Sequence, residues 1–256
     1  MPERTDRVTV EVADGIADVR LTRGDKHNGL DGAMFEALNE AIDEVGAEDE
    51  ARVVVLSGEG PSFCAGLDFK SFTAGDGFDP ERGFEVGEGE RANHAQRVAY
   101  GWRELEVPVI AALQGACLGG GLQIALGADI RIAAHDTQMS VMEVRYGLVP
   151  DMSISQTLPR LVRDDVAREL TYTGRIVEAP EAAELGLVTR LAADPVAEAR
   201  EIAVQIAAAP PEAIRSAKRL LSEAPGLSAA DGLALEAQLQ RALIGASELA
   251  APVSNR

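Results

Sequence analysis

An α/β protein with parallel strands and a helical C-terminal region is what this sequence predicts, and three observations carry the prediction. Strand-like runs alternate with helical stripes from Val8 to about residue 190, the pattern of strand–helix–strand units. One run, "RVVVLSG" at Arg52–Gly58, is apolar without alternation, as in a strand buried on both faces. From Asp194 onward only helical patterns remain, broken at "APPEA" and "APGLS". The chain is therefore divided into a core over 1–193 and a helical region over 194–256.

Each element has its own signal. Val8–Val12 and Ile16–Leu21 alternate around "ADG", the mark of a β-hairpin. Asp31–Val45 carries apolar residues at Met34, Phe35, Leu38, Ile42 and Val45, a helical stripe with Asp31 as N-cap. "GEGPSFCAGLDF" reads as a turn followed by a short apolar strand. Ser71 to about Arg91 is rich in Gly, Asp and Glu without a period, so a surface loop is expected there. Arg91–Leu105 resumes helix. "VPVIAALQG" reads as strand, Gly120–Leu126 as helix, "DIRIAA" as strand and "MSVMEV" as strand or turn. Ser153–Leu161 and Asp164–Thr173 read as helices, and "AAELGLVTRLA" as a helix end and a strand.

Composition narrows the function. The net charge of -18 argues against a nucleic-acid groove or an anionic membrane surface, which need a basic face. No apolar run approaches the roughly 20 residues of a membrane helix, and neither end reads as a signal peptide or a peroxisomal address. Cys64 and Cys117 lie in apolar segments and read as buried reduced thiols of a cytoplasmic protein. His27, His94 and His135 lack metal-ligand spacing, so no metal is expected.

The densest signal is "QGACLGGGLQIALGADI", with Gly119, Gly120 and Gly121 in succession. A dinucleotide fingerprint, a P-loop and a nucleophile elbow all fail on spacing or on missing residues. Tight helix–strand packing is one reading. The other joins two distant segments: "SFCAGLDF" ends a strand, "GACLGGGLQ" opens a helix, and each offers a backbone N–H. Two such donors aimed at one oxygen make an oxyanion hole, and the helix dipole adds to it.

The pair "FCAGLDF" and "ACLGGGLQIALGADIRIAA" resembles the crotonase superfamily, the enoyl-CoA hydratase/isomerase family. "RGDKHNGLDGAM", "VPVIAALQG" and "MEVRYGLVPDMSISQTLPRLV" match in the same order, so the resemblance covers most of residues 8 to 190. It implies a ββα spiral core with C-terminal helices, and trimers or dimers of trimers. It implies an acyl-CoA substrate of fatty acyl metabolism, with CoA as part of the substrate and no other cofactor. By resemblance the oxyanion donors are the amides of Leu67 and Gly120. Ala65, Asp68 and Gly119 flank them, and Lys26 and Arg23 lie where the family's chain passes the CoA phosphates. Residues 194–256 would serve oligomerisation and, with the Ser71–Arg91 loop, build the acyl pocket.

The carboxylates separate the activities. Hydratases of the family hold water between two glutamates; here the first position is Gln123 and the second Glu143. An amide cannot accept a proton. Asp151 lies eight residues beyond Glu143, a stretch that looks like the dienoyl-CoA isomerases, although those carry an aspartate where this chain has Gln123. A double-bond isomerase is therefore expected, with a hydratase, or another CoA-thioester enzyme of the superfamily, as the alternative. A weakly catalytic binding or assembly protein is the reading from another class. Glu143 could instead be a surface carboxylate, Asp151 the N-cap of a helix starting near Met152, Gln123 a satisfied polar core residue and Asp68 a loop-fixing carboxylate.

Overall fold

The computed structural model describes residues 7–74 and 83–245. Strands β1 (Val8–Ala13) and β2 (Ile16–Leu21) pair antiparallel through a two-residue turn. Asp14 and Gly15 have φ of 53° and 79°, the two positive values that a hairpin turn matching strand twist requires. β2 then pairs in parallel with β3 (Val53–Gly58), β3 with β4 (Val109–Leu113), and β4 with β6 (Ile130–Ala133). β9 (Arg190–Leu191) closes a six-stranded sheet in the order β1-β2-β3-β4-β6-β9. A second, three-stranded sheet is formed by β5 (Ala116–Leu118), β7 (Gln138–Ser140) and β8 (Val177–Glu178).

The unbroken apolar run of β3 has a direct cause. Val54 and Leu56 face one core, with helices α1 (Gly32–Ala47), α3 (His94–Glu104) and α4 (Gly120–Gly127). Val53 and Val55 face a second core, built with Ala199, Ala203 and Ala207 of α8 (Pro195–Ala207). Side chains of successive strand residues point to opposite faces, and here both faces are covered. The boundary expected at 193/194 thus falls just before a helix that completes the sheet's second face, so the core runs through Ala207.

The helix ends follow local chemistry. The Asp31 side chain accepts from Met34 N at 2.8 Å, and Asn93 with Gln96 forms a reciprocal capping box at the start of α3. α9 (Pro211–Glu223) is pinned by Lys218, buried yet bonded to the carbonyls of Trp102 (3.2 Å) and Val107 (2.7 Å) and paired with Asp129 (3.0 Å). Desolvation lowers its pKa, and Asp129 opposes that. α10 (Ala229–Gly245) ends the described chain. Among the described residues no helix is long and apolar enough to cross a membrane.

Several expectations change. Instead of a strand at "SFCAGLDF", only two isolated bridges form, Cys64 with Cys117 and Leu30 with Leu67. Gly66, at φ 87°, turns the chain between them. The expected loop at Ser71–Arg91 opens inside a helix, α2 (Phe69–Ala74), and residues 75–82 lie outside the described residues. The helix expected at Ser153–Leu161 is α5 (Ile154–Thr157) followed by a 3-10 turn at Leu158–Arg160. Helix α6 (Asp164–Thr173) stands where it is expected, and α7 (Ala179–Leu185) precedes β9.

Candidate functional site

Where β4 leads through β5 into α4, the chain passes beside the segment that follows β3. Cys64 N donates to Ala116 O at 3.0 Å and Leu118 N to Cys64 O at 3.0 Å, which locks the two segments side by side. Each glycine of the cluster answers a separate demand. Gly119 has φ 52° and ψ -122°, a conformation closed to ordinary side chains. A Cβ on Gly121 would lie 2.2 Å from the Cys64 carbonyl oxygen, so close helix–strand packing excludes one. Gly120 opens α4, where its amide has no intrahelical acceptor.

The amides of Leu67 and Gly120 are thereby left over. Across the Leu30–Leu67 bridge, Leu30 N bonds Gly66 O (2.8 Å) and Asp68 N bonds Leu30 O (2.9 Å), so the parallel pairing engages Leu67's neighbours and not its own N–H. Neither Leu67 N nor Gly120 N donates a hydrogen bond among the described residues. A Cβ on Gly66 would sit 3.5 Å from Gly120 N, so the two donors belong to touching segments. Both residues line one cavity of about 310 Å³.

The same cavity is lined by Gln123, Glu143 and Asp151. Gln123, buried on α4, uses both ends of its amide. Its Nε2 donates to Glu143 Oε1 at 2.7 Å and its Oε1 accepts from Met152 N at 2.9 Å. Glu143 opens the 3-10 turn Glu143–Tyr146 after β7, and its other oxygen, Oε2, is buried without a hydrogen-bond partner among the described residues. Desolvation raises its pKa; its own amide and Gln123 pull the other way, and the negative charge of Asp151 adds to the rise. Asp151 is exposed at the cavity, and desolvation raises its pKa as well. It caps no helix: α5 starts at Ile154 behind Ser153, whose φ of 65° breaks the chain two residues later than expected.

Other expected residues go elsewhere. Asp68 does not line the cavity. Its carboxylate pairs with Arg23 at 2.9 Å and accepts from the amides of Lys70 and Ser71 at the start of α2. Desolvation is outweighed there by the Ser71 amide and Arg23, and the pKa falls. Arg23 also bonds Gly29 O (2.9 Å) and approaches Asp31 (3.3 Å), so it clamps the loop. Lys26 is exposed and makes no ion pair among the described residues. Ala65 lines the cavity, but its amide donates to His27 O at 2.9 Å. No residue of α8–α10 lines the cavity, so the expected contribution of that region to the acyl pocket is absent among the described residues.

Sequence reasoning missed the aromatic wall. Phe35, Phe69, Phe72, Phe84 and Tyr146 line the cavity, and the Phe69 and Tyr146 rings meet with centroids 4.3 Å apart. The only sequence signal was the spacing of Phe69 and Phe72, one turn apart on α2. Cys64 and Cys117 are free and buried; burial pushes the Cys64 thiol up to about 12 and the Cys117 thiol well above its usual value. Among the described residues no cluster of His, Cys, Asp or Glu could hold a metal.

Comparison with known proteins shows the family and the fold. A family model described as enoyl-CoA hydratase/isomerase matches residues 11–251. A putative enoyl-CoA hydratase/isomerase of Bacillus subtilis is 37% identical over 86% of this chain and 83% of its own length. A probable mitochondrial enoyl-CoA hydratase of Arabidopsis thaliana is 33% identical over 91% of this chain and 76% of its own. The crystal structure of a putative enoyl-CoA hydratase from Streptomyces coelicolor superposes with a TM-score of 0.87 at 33% identity, covering 97% of this chain and 89% of that one.

Proposed function

This chain belongs to the enoyl-CoA hydratase/isomerase family, and from that premise we propose that it is a double-bond isomerase of acyl-CoA thioesters. The observation that carries the reading is the state of residue 123. Its amide is held at both ends, to Glu143 and to the Met152 backbone, and among the described residues Glu143 and Asp151 are the only carboxylates lining the cavity. In support of this reading, the first of the two positions that carry glutamates in the family's hydratases is here the amide of Gln123.

In the proposed reaction the thioester oxygen rests on the Leu67 and Gly120 amides, with Gly119 and Ala65 as the adjoining wall and Lys26 toward the CoA phosphates. Glu143 Oε2 takes a proton from the α-carbon of a β,γ-unsaturated acyl group. The electron pair moves onto the thioester oxygen as the enolate forms, and one well-placed donor there contributes about 2.7–4 kcal/mol. Collapse of the enolate shifts the double bond to the α,β position, and a proton returns at the γ-carbon from Asp151 or from Glu143 itself. Gln123 keeps Oε1 occupied, so Oε2 is the oxygen that works.

Incubation with a β,γ-unsaturated acyl-CoA should generate the conjugated α,β-thioester absorbance, whereas crotonyl-CoA should be hydrated slowly. Gln123→Glu should raise crotonyl-CoA hydration in the folded protein. Fast hydration by the wild type (kcat on the order of 10²–10³ s⁻¹), with no isomerisation, would overturn the proposal in favour of a hydratase, the name most of the relatives above carry.

We also infer a trimer or hexamer. Val204, Leu221, Leu227, Leu233 and Ile244 on and between α8–α10 are exposed in the single chain, and packing against further copies would cover them. Sedimentation at micromolar concentration should show three or six chains; a monomer alone would refute this.

A further inference from the structure

The cavity's walls say something about the acyl group. The chain is poor in aromatics, with 6 Phe, 3 Tyr and 1 Trp. Phe35, Phe69, Phe72, Phe84 and Tyr146, half of that total, line this one cavity. They arrive from four separate parts of the chain: α1, α2, the residues before α3, and the 3-10 turn that carries Glu143. The cores, by contrast, are filled mostly with Ala, Val, Leu and Ile. Half of the chain's aromatic rings are therefore gathered around this one cavity.

Their exposure points the same way. Phe72 is 40% exposed, Phe84 54% and Tyr146 54%, together with Leu148 at 42% and Val149 at 69%. Large apolar side chains clustered around a concave site are characteristic of ligand-binding surfaces. The Phe69 and Tyr146 rings, 30° apart in plane, form a tilted pair at the cavity wall. A third ring laid against such a pair gains offset or edge-to-face contact beyond its area of burial. An alkyl chain gains the area alone and loses rotamer freedom as well.

Charge sets the second limit. Among the described residues the titratable lining groups are Glu143, Asp151 and Tyr146, and no Lys, Arg or His lines the cavity. An acyl group ending in a carboxylate would meet two acids and no cation in apolar surroundings, where an unpaired charge is costly.

Resting on the acyl-CoA reading above, we infer that the preferred substrates carry an uncharged aromatic ring on the acyl group, packed against Phe69 and Tyr146. Linear fatty acyl chains and dicarboxylic acyl groups are the poorer ligands.

Binding of saturated thioesters tests this without depending on which reaction is catalysed. Titration calorimetry of the whole chain with phenylpropanoyl-CoA, cyclohexylpropanoyl-CoA and glutaryl-CoA compares a flat ring, a puckered ring of similar size, and a charged acyl group. The aromatic thioester should bind roughly tenfold more tightly than the cyclohexyl one, the worth of one or two ring contacts, and glutaryl-CoA should bind most weakly. Phe69→Leu and Tyr146→Leu should each shrink the aromatic preference while leaving affinity for CoA alone unchanged. Equal affinity for the two rings, or tighter binding of glutaryl-CoA, would overturn the inference and leave the acyl-CoA site standing. No binding by any of the three thioesters would instead overturn the acyl-CoA reading, and this inference with it.

Discussion

Glu143→Gln should lower isomerisation of a β,γ-unsaturated acyl-CoA by roughly 10²–10⁴-fold, the usual value of a positioned general base, and should raise thermal stability at neutral pH. Both effects come from one fact. The Glu143 carboxyl is desolvated, so its pKa in the folded chain lies above the ordinary 4.5. Well below that value folded and unfolded chains both hold the proton, and the group contributes nothing to the pH dependence. As pH rises through the window above 4.5, the unfolded chain releases the proton first and stability is lost. Glutamine carries no charge to desolvate, so the variant should unfold at a higher temperature than the wild type at neutral pH, and at the same temperature in acid. Activity should show the opposite dependence: it needs Glu143 ionised and should fall as pH drops through the raised pKa. Asp151→Asn should also cost activity, and without loss of stability, because Asp151 caps no helix. A double variant should be little worse than either single one, since paired acid–base groups act as a unit. Full activity in Asp151→Asn would leave Glu143 carrying the proton alone; full activity in Glu143→Gln would remove the mechanism.

The parts of the fold legible in the sequence are those fixed by neighbours along the chain. The hairpin turn needs only Asp14 and Gly15, α1 only its stripe and the Asp31 cap, and β3 only enough apolar residues for both faces. β5 and β8 were not legible: strands of three and two residues are too short to display a period. Ser153 hid the true start of α5, because serine has no local preference for the left-handed conformation it adopts there.

The candidate site divides in the same way. Glu143, Asp151, Gln123, Leu67 and Gly120 could be named from the resemblance of their motifs, but not what each one touches. That Gln123 spends its amide on Glu143 and Met152, and Arg23 its guanidinium on Asp68 and Asp31, depends on segments distant in sequence meeting. The aromatic wall was invisible for the same reason. Phe35 sits on the apolar stripe of α1 and reads as core, and it is both core and cavity wall.

Gly120→Val should abolish turnover, a loss of at least 10²–10³-fold, while the chain still folds. Gly120 is not at positive φ, so a side chain is not strained by the backbone itself. A Cβ would come within 2.8 Å of Leu30 Cδ1 and 2.9 Å of Met152 Sδ, the far ends of two flexible side chains that line the cavity. Those tips can move, but only into the space proposed for the thioester, and the valine methyls take the rest. Its neighbours provide the contrast. Gly121→Val would drive a Cβ to 2.2 Å from the Cys64 carbonyl oxygen, backbone against backbone, and should cost the fold itself. Gly119→Val would force φ of 52° and ψ of -122° on a β-branched residue and should also unfold or rearrange the α4 N-terminus. Circular dichroism and thermal melts should therefore rank Gly120→Val near the wild type and the other two far below it, with none of the three active. Binding of a saturated acyl-CoA should weaken in Gly120→Val, whereas Glu143→Gln should leave it nearly unchanged, because the donors are backbone groups and the base is not one of them. A folded Gly120→Val variant with wild-type turnover would show that no reacting oxygen approaches this amide.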